Sequence, residues 1–146
     1  VYTFGWYDDN EQELAMAQRP AAVGLYVCEQ VIVEEKTRNV TPVNCFTNRI
    51  VQQFPSEPMA FVAFAALNDG VGQIRLDVTI QRLDTLDEIH RRSVSIRFDD
   101  QLHEYRCVFQ IRRLSFPVSG VYQVSLFADY EVIALRRFRV HMKDEP

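Results

Sequence analysis

From Ile74 to Ile80 every second side chain is apolar: Ile74, Leu76, Val78 and Ile80 alternate with Arg75, Asp77 and Thr79. A period of two gathers the apolar set on one face of an extended strand, whereas a helix needs a period of 3.6. The pattern returns with Val94, Ile96 and Phe98, with Tyr105, Cys107, Phe109 and Ile111, and with Tyr122, Val124, Leu126 and Ala128. In the last run, 132–142, Phe138, Val140 and Met142 share one parity while Ile133 and Leu135 take the other. That change of side predicts a bulge near Arg136. Asn68-Asp69-Gly70, Asp84 to Asp87, Asp99-Asp100, Phe116-Pro117-Val118-Ser119-Gly120 and Asp129-Tyr130-Glu131 supply turns between the runs.

Three upstream segments, 23–34, 43–54 and 59–67, are also strand-like, which brings the expected total to about eight. Two of them are apolar on both parities. Met59, Phe61, Ala63, Ala65 and Leu67 stand against Ala60, Val62, Phe64 and Ala66; Leu25, Val27, Val31 and Val33 stand against Tyr26, Cys28 and Ile32. A sandwich strand needs one apolar face, so the second requires a cover of its own. Eight short strands with no helix between them predict an all-β fold, an antiparallel β-sandwich of immunoglobulin or C2-like type. Tyr122, just past a turn, reads either as the tyrosine corner of such sandwiches or as a core aromatic.

The sandwich domain is expected over 21–146, preceded by an arm over 1–20. The arm holds Tyr2, Phe4, Trp6 and Tyr7, and Asn10 with Glu13 resembles a capping box, which predicts a short helix over 11–19 ended by Pro20. A helix this short needs something to dock on. Of the formal net charge of −4, the arm carries −3, leaving a nearly neutral body. At 146 residues the chain is large enough to bury a core without disulfides.

Several features resemble a bacterial family of small proteins catalogued as a domain of unknown function. They are Gly24-Leu25-Tyr26-Val27-Cys28-Glu29-Gln30-Val31-Ile32, Asn44-Cys45-Phe46, Phe54-Pro55, Leu114-Ser115-Phe116-Pro117, Gly120-Val121-Tyr122 and Phe138-Arg139-Val140. The likeness covers about 22–141. It implies a bacterial, cytoplasmic β-sandwich and brings no catalytic residues with it.

Chemistry-bearing residues are scattered. Cys28, Cys45 and Cys107 include no C-x-x-C pair, and their odd number suits free thiols in a cytoplasmic protein. No basic start followed by an apolar stretch opens the sequence, and no apolar run reaches the roughly 18 residues of a membrane span. His90, His103 and His141 are far apart and read as surface residues. The aspartates at 69, 84, 87, 99 and 100 read as turn residues rather than calcium ligands. Nucleophile and phosphate-loop motifs are missing, so no enzyme, cofactor or metal is expected.

Of 16 basic residues 14 are Arg, a residue favoured at protein interfaces. The net negative charge speaks against nucleic acid as a partner. The doubly apolar strands near 23–33 and 59–67, with an aromatic arm too short to fold alone, point to a non-enzymatic protein–protein interaction or assembly module, partnered by another protein or by copies of itself; the other reading of the same features is an arm that covers its own sheet within one monomer. Tyr2, Phe4, Trp6, Tyr7 and Leu14 of the arm, with Tyr26, Val62 and Phe64 of the doubly apolar strands, are the candidate contacts. The alternative is a sandwich that binds carbohydrate or anionic head groups. An outer stripe of Arg75, Arg97, Arg106 and Arg112 would then meet the anion, provided their strands are neighbours, and Trp6, Tyr7 or Tyr130 would stack on sugar.

Overall fold

The computed structural model describes residues 17–144. Among them the chain forms nine strands and no helix: β1 (Ala21–Val33), β2 (Val40–Cys45), β3 (Asn48–Val51), β4 (Met59–Asn68), β5 (Gly72–Arg82), β6 (Glu88–Phe98), β7 (Tyr105–Leu114), β8 (Gly120–Ala128) and β9 (Glu131–Met142). No helix among the described residues is long and apolar enough to cross a membrane. One sheet has the order β2-β1-β4-β7 and the other β3-β9-β8-β5-β6.

Alternation becomes sidedness as the sequence predicts. Ile74, Leu76, Val78 and Ile80 of β5 and Tyr122, Val124, Leu126 and Ala128 of β8 are buried. They share one core with Leu25 and Val27 of β1, Phe61, Ala63, Ala65 and Leu67 of β4, and Cys107, Phe109 and Ile111 of β7. The inner faces of both sheets thus build a single two-layer interior. At one end of it Phe46, Phe61, Phe116, Tyr122 and Phe138 interlock, mostly edge to face.

The expected tyrosine corner has a concrete bond. The Tyr122 hydroxyl donates to the Val118 carbonyl at 2.6 Å, closing the turn that leads into β8. Tyr122→Phe leaves that carbonyl without its partner while keeping the ring, so unfolding in urea should show a loss of about 1–2 kcal/mol.

Four expectations need correction. The segment 43–54 is not one strand. β2 pairs with β1, whereas β3 joins the other sheet after Phe46 and Thr47, so the strands number nine. The pairing is not wholly antiparallel either, since β3 runs parallel to β9. The bulge in β9 falls at Ile133 rather than near Arg136: Leu126 faces Ala134 while Phe127 faces Val132. The helix over 11–19 lies mostly outside the described residues, and its last positions, 17–19, are not helical. Gln18 instead forms a β-bridge with Val71, and Arg19 pairs with Glu131 at 3.2 Å.

Candidate interaction surfaces

The doubly apolar strands are covered by the β1–β2 hairpin. Cys28 and Val62 are opposed on β1 and β4, as are Tyr26 and Phe64, all on the outer side of the four-stranded sheet. Cys28, Val62 and Phe64 form a second buried cluster, and Val31 and Val40 of the β1–β2 hairpin pack against it. β1 follows β4 only as far as Cys28. Beyond that point the hairpin reaches β7, where the Arg106 guanidinium donates to the Arg38 carbonyl at 3.3 Å. A cleft of about 440 Å³ lies there, lined by Val33, Arg38 and Val40 on one side and His103, Tyr105 and Val108 on the other. Because β4 stands between β1 and β7, a hairpin that touches β7 must lean across the outer face of β4. Val62 and Phe64 therefore belong to packed interior. Tyr26 keeps 40% of its surface.

The opposite edge is only partly paired, and along it β1 and β9 lie close to each other. β2 pairs with Cys28–Val33 and no earlier residue of β1. β3 likewise pairs only with residues 139–142 of β9. Two bonds flank the linker between them, from the Phe46 amide to the Val27 carbonyl at 3.0 Å and from the Arg139 amide to the Thr47 carbonyl at 2.8 Å. Among the described residues, 21–26 of β1 and 131–138 of β9 thus have no strand on that side. The Arg136 guanidinium, 4.9 Å from the centre of the Tyr26 ring, joins the two edges. Val23, Val132 and Leu135 stand exposed along them.

The outer face of the five-stranded sheet is polar and centred on Asp77. The Asp77 side chain is 1% exposed. It accepts from Arg75 Nε at 3.1 Å, lies 3.5 Å from Arg91 and accepts from the Ser93 hydroxyl. Burial alone would push this carboxyl up, but the bonds from Arg75 and Ser93 and the charges of Arg75 and Arg91 outweigh it and hold it below the usual range. Arg75 also donates to the Tyr130 hydroxyl at 2.8 Å and stacks over its ring. The Thr79 hydroxyl, two residues along β5, is buried without a partner among the described residues.

The proposed arginine stripe does not form. Arg75 and Arg97 face outward from the five-stranded sheet. Arg106 and Arg112 lie on β7, in the other sheet. Each of the first three has its own carboxylate: Asp77 for Arg75, Asp99 at 3.3 Å for Arg97 and Glu104 at 2.9 Å for Arg106. Tyr2, Phe4, Trp6, Tyr7 and Leu14 lie outside the described residues. Among those described, no three His, Cys, Asp or Glu side chains gather in a way that would hold a metal ion. His90 is not a surface residue: it is half-buried, and burial together with Arg92 pushes its pKa down, toward the neutral ring.

Comparison with known proteins adds a family and a distant likeness. The model of a family described as Family of unknown function (DUF6941) matches residues 24–141. No curated protein matches the chain. A beta-glucosidase from Listeria innocua, in complex with isofagomine, superposes with a TM-score of 0.41 at 9% identity, over 84% of this chain and 16% of that one. The alkylpurine DNA glycosylase AlkC of Pseudomonas fluorescens, bound to DNA containing an abasic site analog, also gives 0.41, at 8% identity. That match covers 80% of this chain and 30% of the glycosylase. The chain therefore spans less than a third of either enzyme, and neither likeness carries an argument about activity.

Proposed function

The chain belongs to the Family of unknown function (DUF6941), and from that premise we propose that it is a non-enzymatic interaction and assembly module. It takes an extended protein segment onto its partly paired edge. The observation that carries this reading is the pair of unpartnered strand edges, 21–26 of β1 and 131–138 of β9, flanked by Val23, Val132 and Leu135. An open edge offers a row of main-chain donors and acceptors, and apolar neighbours reward alternate side chains of the incoming strand. The ionisable groups support the non-enzymatic half of the reading. Asp77 is committed to two arginines, and burial pushes the Cys107 thiol up to about 11, where it is protonated and a poor nucleophile.

The segment we assign to the edge is the arm of a second copy. Its aromatic residues, Tyr2, Phe4 and Trp6, recur at every second position, as a strand presents them. The described chain begins at the right end for this exchange, because Gln18 bridges Val71 and Arg19 reaches Glu131 at the start of β9. The module is read as immunoglobulin-like, on the strength of the Tyr122 corner. A cytoplasmic location suits its three thiols.

Removal of residues 1–16, followed by light scattering, tests the exchange. The full chain is expected to run as a dimer or larger and the shortened one as a monomer that binds a peptide of sequence 1–16. Monomers in both cases, with no peptide binding, would set the assembly reading aside.

A further inference from the structure

Cys28 and Cys45 are directly opposed on β1 and β2. The next pair along, Val27 and Phe46, is tied by the bond from the Phe46 amide to the Val27 carbonyl. Asn44, with a φ of 52°, interrupts the regular alternation of this ladder, and directly opposed residues, hydrogen-bonded or not, have Cα atoms about 4.5–5.5 Å apart. That separation lies within the range a disulfide spans. The two thiols differ in access, for Cys45 is exposed and Cys28 is buried beside Val62 and Phe64. They also sense each other: burial first, and then the charge of Cys45, push Cys28 up to about 11.

We propose that Cys28 and Cys45 are a modification site, which closes to a cross-strand disulfide by exchange with a low-molecular-weight disulfide. The Cys45 thiolate attacks one sulfur of the disulfide RS–SR. A Cys45–SR bond forms, the S–S bond of the reagent breaks, and RS⁻ leaves to take up the proton that Cys45 lost. With Cys45 capped, its charge no longer raises the Cys28 thiol; the small thiolate fraction of Cys28, held opposite the Cys45 sulfur, attacks it, and the second RS⁻ departs with the proton from Cys28. Two protein thiols have given two electrons and two protons to one disulfide, which ends as two RSH. Exchange through a mixed disulfide has these two steps in general, the accessible thiol reacting first.

The bond would act on the hairpin described above. It ties β2 to β1 at the base of the segment whose Val31 and Val40 cover the Cys28, Val62 and Phe64 cluster. Cys107 stands apart from it, on the inner side of β7 in the main core, and serves as an internal control.

The full chain is treated with 5,5′-dithiobis(2-nitrobenzoate) while released thionitrobenzoate is followed by absorbance and the product by intact mass. Two equivalents are expected from the wild type, with a product two hydrogens lighter and free of label. Digestion without reduction should yield the Cys28 peptide joined to the Cys45 peptide. Cys28→Ser should stop at one equivalent and keep the label on Cys45, and Cys45→Ser should lose the fast phase. A wild-type protein that keeps a label on Cys45, or whose new disulfide includes Cys107, would overturn the proposal.

Discussion

Phe138→Ala should cost about 3–5 kcal/mol, the range for an aromatic side chain cut back to its first carbon in a packed core. Phe138 is 2% exposed and lies on β9. Its ring meets four others, Phe46 at 5.7 Å, Phe116 at 5.8 Å, Phe61 at 6.0 Å and Tyr122 at 6.1 Å. Phe61 comes from the opposite sheet, so the ring is part of what joins the two layers. Aromatic pairs contribute roughly 0.5–1.5 kcal/mol each beyond buried area, although pairs sharing one ring do not simply add. The stability of a domain is only about 5–15 kcal/mol in total, so the variant should melt roughly 6–20 °C lower. Leu102→Ala, in the turn between β6 and β7 at an exposed position, should stay within about 0.5 kcal/mol of the wild type. Thermal and urea unfolding of the two variants makes the comparison. A loss below about 1 kcal/mol at Phe138 would mean that the ring cluster does not hold the sheets together.

The centre of this core is legible in the sequence because β5 and β8 are flanked by strands on both sides. Their inner residues have one environment from end to end, and the period of two survives intact. Ile133 shows the limit: the parity change is visible, but the position of the extra residue depends on how β9 pairs with β8. The split of 43–54 is less visible still. β2 and β3 have six and four residues, too few to display a period, and the switch between sheets falls on Phe46 and Thr47, with Phe46 buried in the core. Nothing local marks a parallel pairing between β3 and β9, whose partners, such as Asn48 and Arg139, are far apart in the sequence.

The surfaces follow the same rule. The sequence shows that β1 and β4 have two apolar faces and so require a cover. Which segment supplies it depends on β1 leaving β4 after Cys28, a bend set by tertiary packing. The arginine stripe fails because the link between β6 and β7 carries the chain from one sheet to the other, and no residue type in 99–104 announces that crossing. Asp77 was visible only as an outward polar residue of an alternating strand. Its opposition to Ser93, and the approach of Arg91, are products of the register between β5 and β6.

That register makes Asp77 the most consequential polar position, and Asp77→Asn should cost about 2 kcal/mol at neutral pH. The figure lies between two limits. An exposed ion pair contributes up to about 1 kcal/mol, and removing one partner of a fully buried pair costs about 3–5 kcal/mol. Asp77 is covered, yet Arg75 and Arg91 keep 42% and 45% of their side-chain surface, so water screens the cations and rehydrates them when the carboxylate is lost. Asparagine preserves the shape and still accepts from Ser93, which isolates the charge. The pH dependence has a definite sign. The folded-state pKa is depressed, so the stabilisation is fully present above the unfolded value of about 3.9 and is lost as pH falls through the folded value. The gap between wild type and Asp77→Asn in urea should therefore be constant from about pH 7 to pH 5 and narrow below about pH 4. If instead it held its full width, or grew, at about pH 2.5, the carboxylate would not be the source of the stability assigned to it.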